Sequence, residues 1–203
     1  MNLLIATGNR HKFTEISAIL AAPHLVFLSL KQLIGCPQVV EDGDTFEANA
    51  IKKAVVLAHF SGMWTLADDS GLEVDALHGA PGVYSARYAG EPADDHANNV
   101  KIIGAMAGVS DRRARFRCVI ALSDPQGITR TVSGACEGTL LTAIHGTGGF
   151  GYDPLFAPNG YEKTFAELPA GIKNTISHRA VALKAAIEAW HDCFARELPS
   201  WPN

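Results

Sequence analysis

The chain has 203 residues, room for one α/β domain or for two lobes sharing a core. A hydrophobic content of 47%, a charged content of 19% and a formal net charge of -4 are ordinary for a globular protein, and they exclude the broad basic face that grips a nucleic-acid polymer. No apolar run approaches the roughly 20 residues that span a bilayer, and MNLLIATG is too short and lacks the basic leader of a signal peptide, so a cytoplasmic protein away from membranes is expected.

Leu3 to Ala6 reads as a short buried strand, and Lys12 to Ala22 as a helix with Phe13, Ile16, Ile19 and Leu20 inward. Pro23 closes it, and Val26 to Leu28 fits a second strand. Asp44 or Thr45 then caps a helix whose apolar positions Phe46, Ala50, Ile51, Ala54, Val55 and Ala58 recur at helical spacing, and Gly62 ends it. Asp44 with Glu47 reads as a capping box, and Lys52 and Lys53 as surface charges, with Lys53 a distant candidate for a ligand contact. Trp64 to Ala67 is a strand running into Asp68-Asp69-Ser70-Gly71, with Leu72 to Leu77 extended beyond it. A punctuated loop, HGAPGVYSARYAG, leads to a helix over Asp94 to Ala107. ARFRCVIALS and ITRTVSGACEG form a hairpin about Asp124-Pro125-Gln126-Gly127, and GTGGFGYDPLFAP is a second glycine-rich loop. Ser177 to Phe194 is a helix with Leu183, Ile187, Trp190 and Phe194 on one face, and the tail ELPSWPN is expected to fray. The four cysteines, Cys36, Cys118, Cys136 and Cys193, are far apart without CxxC spacing, as buried thiols of a reducing compartment would be.

Four groups of residues can carry chemistry. Thr7-Gly8-Asn9 joins strand to helix, and such a turn directs backbone N–H groups and the positive end of a helix dipole toward an anion. Asn9 adds a side-chain amide and Lys12 a full charge, although a plain tight turn with solvated Arg10 and Lys12 is the blander reading. Cations in a first helical turn are mildly unfavourable, so something negative should offset them. Asp68 and Asp69 point to opposite faces if the strand continues through them. Neighbouring carboxylates are expensive to keep ionised without a cation, which makes Mg²⁺ their natural partner; an Asx-turn is the alternative. Glu41 and Asp42 lie where a further oxygen ligand could be supplied.

In GTGGFGYDP, four glycines in nine residues imply positive φ angles or a close approach to a flat ligand. Phe150 or Tyr152 could stack on a base and Asp153 accept hydrogen bonds, or the aromatics could simply fill the core. Finally, Ser177 reads as an N-cap, and Lys173, His178 and Arg179 gather donors at one helix start, suited to keto oxygens on a base edge.

The ordered set TGNRHK, ADDSGL, GAPGVYSARY, GTGGFGYDP and ISHR resembles the inosine triphosphate pyrophosphatase family, from near the first residue to about residue 190. The resemblance implies an elongated two-lobed α/β fold, a mixed sheet with the active site in the cleft, and a homodimer. It implies Mg²⁺-dependent conversion of the non-standard purine nucleotides dITP, ITP and XTP to monophosphate and pyrophosphate, cleansing the nucleotide pool. By position, Thr7, Gly8, Asn9 and Lys12 would hold the triphosphate, with Arg10 and His11 in the same loop. Glu41 and Asp69 would bind Mg²⁺, Asp69 would take the proton of the attacking water, and Asp68 would support it. Ser70 would touch the substrate, while Phe150, Gly151, Tyr152, Asp153, Lys173, His178 and Arg179 would surround the base. Ala48 departs from the glutamate that members often carry, and Pro169-Ala170-Gly171-Ile172 departs from a stretch that is acidic in many. Two rival readings are a Maf-like pyrophosphatase acting on other modified triphosphates, and a nucleotide sensor without turnover.

Overall fold

The structure, a computed structural model, describes residues 2–195; the expected fraying of the tail falls outside them. In chain order the elements are β1 (Asn2–Ile5), α1 (Arg10–Ile19), β2 (Val26–Ser29), α2 (Phe46–Ser61), β3 (Thr65–Val74), α3 (Asp95–Ala105), β4 (Arg113–Ser123), β5 (Thr129–Leu140), β6 (Phe156–Pro158), α4 (Ala170–Ile176), α5 (His178–Ala189) and α6 (His191–Ala195). Short 3-10 turns follow β2 and β3 and precede α3. The strands form one sheet in the order β2-β1-β3-β4-β5-β6. β1 pairs in parallel with β2 and β3, whereas β5 pairs antiparallel with β6, so the α/β fold has a mixed sheet. Parallel neighbours need a crossover, and α1 supplies it between β1 and β2.

By contact density the chain divides into two compact units. Among the described residues the first takes 2–69, 119–134 and 180–195, and the second takes 70–118 and 135–179. β3, β4 and β5 each give one half to each unit. In the first, Leu3, Leu4, Ile5, Ile16, Ala50, Ala54, Leu57 and Leu66 are buried, which is why the apolar run of β1 and the helical spacing of α1 and α2 were readable. In the second, Leu72, Val74, Ile102, Met106, Phe116, Leu155, Phe156 and Phe165 form a continuous apolar cluster. Phe116 meets Phe156 edge-on at 4.7 Å between centroids.

Several expectations change. β3 does not stop at Ala67 but runs through Asp68-Asp69-Ser70-Gly71 to Val74, which removes the Asx-turn alternative. Those residue types are poor strand formers alone; pairing inside a sheet overrides propensity. Thr45 caps α2, its Oγ1 accepting from the Ala48 N–H, so Asp44 and Glu47 form no capping box; Glu47 instead accepts from the Thr131 hydroxyl at 2.6 Å. Gly62 adopts a left-handed φ of 66° and closes the helix as expected. The single C-terminal helix is divided into α5 and α6, and Ile187 is exposed while Ala182, Leu183, Ala186 and Trp190 are buried. Cys118, Cys136 and Cys193 are buried and Cys36 partly so, all as free thiols. Among the described residues no helix is long and apolar enough to cross a membrane.

Candidate active site

In the first unit the acidic and basic residues converge in pairs. β3 presents Asp68 and Asp69 to opposite faces because successive strand side chains alternate. Asp68, buried, meets the Lys12 ammonium of α1 at 3.1 Å. The negative charge that a lysine in the first turn requires is therefore supplied by the protein itself. Asp69, on the other face, is approached by α2: the Asn49 amide donates to its Oδ2 at 3.1 Å, and Lys53 Nζ lies 3.5 Å from its Oδ1. The same ammonium lies 3.2 Å from Glu41 Oε1 and donates to the Asp68 carbonyl at 2.7 Å. Lys53 is thus not a surface charge; it is buried and joins Glu41 to Asp69. Lys52 is the solvated one, paired at 2.6 Å with exposed Asp42, which therefore stands apart from the carboxylate pair.

These contacts set the protonation states. Burial works against the Lys53 charge, but Asp69, Asp68 and Glu41 outweigh it and raise its pKa above the ordinary lysine value. Burial also raises the Asp69 pKa; Lys53 and Lys12 oppose that rise without cancelling it, and the Glu41 charge adds to it. An all-oxygen donor set with such a carboxylate fits a hard divalent cation, which would relieve the repulsion between Glu41 and Asp69. Among the described residues no three His, Cys, Asp or Glu side chains form a metal cluster. Two protein carboxylates with further oxygens from phosphate and water is the arrangement Mg²⁺ favours.

The Thr7–Lys12 turn is tighter than its sequence implied. Asn9 is the N-cap of α1: its Oδ1 accepts from the N–H groups of His11 and Lys12, at 2.8 and 3.2 Å. Thr7 Oγ1 accepts from the Asn9 N–H at 3.1 Å. Gly8, Asn9, Arg10 and His11 are exposed, and Thr7 and Lys12 are half-buried. What the turn offers an anion is chiefly the dipole, the Asn9 amide nitrogen and the exposed cations, with fewer open backbone donors than a glycine-rich nest supplies.

The second unit gathers a different set. Lys173 is buried in α4, a helix missed because Pro169 and Gly171 disguise its first turn, and its ammonium binds Asp153 Oδ2 at 2.5 Å. The unusual loop before Lys173 therefore does not prevent it from reaching the glycine-rich loop. Lys173 also lies 4.6 Å from the Phe150 ring centroid, and the Arg179 guanidinium 5.9 Å. Arg179, wholly buried at the start of α5, donates to Ser70 Oγ at 2.9 Å. His178 stacks on Phe116, with centroids 4.7 Å apart and planes 15° from parallel. Tyr152 is a correction: it is buried in the apolar cluster with its hydroxyl donating to the Ser85 carbonyl at 2.8 Å, and burial pushes its pKa up, so its ring is not a stacking platform. Phe150 remains half-exposed. The loop's glycines answer to the protein: Gly149 has φ 70°, and a side chain there would collide with Asp153.

Asn49, Asp95, Asn99 and Phe116 also bear on these sets and were not singled out, and Lys53 was named only as a distant candidate for a ligand contact. Asn49 and Lys53 could have been found, since they fall within the inward stripe marked by Phe46, Ala50, Ala54 and Leu57. The Ham1 family pattern matches residues 3–189. A protein of Desulforamulus reducens named dITP/XTP pyrophosphatase is 54% identical over 190 residues, which cover 93% of this chain and 94% of that one. One of Geobacter sulfurreducens with the same name is 52% identical, over 89% and 92%. The solved structure of a HAM1 protein from Coxiella burnetii superposes with a TM-score of 0.86 at 38% identity, over 95% of this chain and 99% of that one. The resemblance read from the five motifs is borne out by this agreement along nearly the whole length: the chain belongs to the Ham1 family.

Proposed function

We propose that this protein hydrolyses dITP, ITP and XTP to the nucleoside monophosphate and pyrophosphate, and so cleanses the nucleotide pool. The observation that carries the proposal is the meeting of Glu41 and Asp69 on one buried ammonium, with Lys12 on the adjoining Asp68. The names of the relatives support the substrate class. On this reading Lys12 and the exposed start of α1 hold the polyphosphate, and Glu41 and Asp69 hold Mg²⁺. The bound ion supplies charge neutralisation at the phosphate oxygens and at the departing pyrophosphate. Asp69, its pKa raised by burial, is the base that takes the proton from water attacking the α-phosphorus. Lys53 fixes the orientation of both carboxylates, lying beside Asp69 Oδ1 while Asn49 donates to Asp69 Oδ2.

The second unit's residues suit the purine. Phe150 offers a ring face, and the donors of Lys173, His178 and Arg179 suit a 6-keto oxygen, where adenine would bring a donor of its own. A buried donor left unpaired costs about 1–3 kcal/mol, enough for roughly ten- to hundredfold discrimination. A homodimer working in the cytoplasm completes the proposal, on the strength of the family resemblance. A panel of purine triphosphates, with products identified and Mg²⁺ present or withheld, tests it. Pyrophosphate released from dITP or XTP, well above the rates for dATP and dGTP and only with Mg²⁺, is expected. Equal turnover of all purines would remove the specificity, and orthophosphate as first product would remove the chemistry.

A further inference from the structure

Helix α3 holds Gly151 of the glycine-rich loop by the peptide groups on both sides of its Cα. The Gly151 N–H donates to Asp95 Oδ2 at 2.7 Å, and the Gly151 carbonyl accepts from Asn99 Nδ2 at 2.8 Å. Asp95 and Asn99 are four residues apart and so share a helix face. Asn99 Nδ2 also donates to the Asp95 carbonyl at 2.8 Å, so both of its partners are acceptors and the orientation of the amide is fixed. That orientation leaves Asn99 Oδ1 buried with no hydrogen-bond partner. A stranded acceptor is unfavourable, and a leucine would fill the space without one. The asparagine is explained by what its nitrogen holds.

The held residue lies at a sensitive point. Gly151 has φ 61°, and a Cβ there would meet nothing within 4 Å, so conformation rather than space calls for glycine. Its neighbours are anchored separately: the Phe150 N–H donates to Asp153 Oδ2 at 2.9 Å, and the Tyr152 hydroxyl to Ser85. Rotation of the 150–151 peptide group would move Phe150 most, since Tyr152 is fixed in the core. We infer that Asp95 and Asn99 are positioning residues for base selection, clamping the two peptide groups that flank Gly151 so that the Phe150 ring keeps a fixed pose beside Lys173 and Arg179. This inference rests on the base-reading role proposed above for Phe150.

The test combines amide hydrogen exchange over residues 149–153 with kinetics on dITP and dGTP, for wild type, Asp95→Ala, Asp95→Asn and Asn99→Leu. Asp95→Ala is expected to speed exchange at Gly151 about tenfold, the effect of one lost hydrogen bond. It is also expected to raise KM for dITP by a similar factor with kcat nearly unchanged, and to narrow the preference for dITP over dGTP. Asp95→Asn keeps an acceptor oxygen and should restore both readouts; Asn99→Leu should behave like Asp95→Ala. Faster exchange with unchanged KM and preference would overturn the link to the base, and unchanged exchange would overturn the clamp. Should Asn99→Leu fail to fold, the Asp95 pair decides alone. Wild type inert toward dITP and XTP would sink the proposed activity instead, and the exchange rates would still judge the clamp.

Discussion

The two units carry charged sets of different make-up. In the first, Glu41 and Asp69 share the Lys53 ammonium and Asp68 meets Lys12. In the second, Lys173 pairs with Asp153, Arg179 donates to Ser70, and both cations lie beside the Phe150 ring. Both sets are largely buried, where charges are costly unless they are paired and hydrogen-bonded. Carboxylates held about an ammonium are the chemistry proposed for the polyphosphate end of the substrate, and cations beside an aromatic ring are the chemistry proposed for its base.

Removing the base should have the largest effect. Asp69→Asn keeps the shape and the Asn49 contact, so circular dichroism should be unchanged while turnover falls by about 10²–10⁴-fold. Near-normal rates would move the base elsewhere. Lys53→Met leaves Glu41 and Asp69 facing each other without their shared ammonium. Denaturant unfolding should show a loss of about 3–5 kcal/mol, the usual cost of breaking a buried pair, and millimolar Mg²⁺ should recover part of it. No loss, or no effect of Mg²⁺, would argue against an acidic set that seeks a cation. Phe150→Ala should be milder: the half-exposed ring contributes little to stability, and binding of dITP should weaken by about 0.5–1.5 kcal/mol, read as a rise in KM. The smallest effect concerns Cys136, whose thiol burial pushes up to about 11. The unfolded chain gives up that proton first, so stability should decline as pH rises from about 9 toward 11, and Cys136→Ser should flatten the decline.

Much of this was legible in the sequence, and unevenly. β1 was found as a short continuous apolar run, α2 by its inward stripe, and the β4–β5 hairpin by two extended runs about a turn. Lys53 was misread because a charge on an apolar stripe looks like a break in the pattern. Only the carboxylates of β3 and the Glu41 loop explain it, and they are remote in sequence. The passage of β3 through Asp68-Asp69-Ser70-Gly71 was hidden by residues whose local preference is a turn. In the glycine-rich loop, composition announced unusual φ angles but could not assign its aromatics. Tyr152 went to the core because its hydroxyl finds the Ser85 carbonyl there, and Phe150 stayed at the surface beside two cations. Nor could composition reveal that Asp95 and Asn99 hold Gly151 between them.

The central claim is that the acidic set directs water to the α-phosphorus of the nucleotide. Hydrolysis of dITP in ¹⁸O-labelled water, followed by mass analysis of both products, tests it most directly. The account predicts label wholly in dIMP and none in pyrophosphate; label in the pyrophosphate would contradict it.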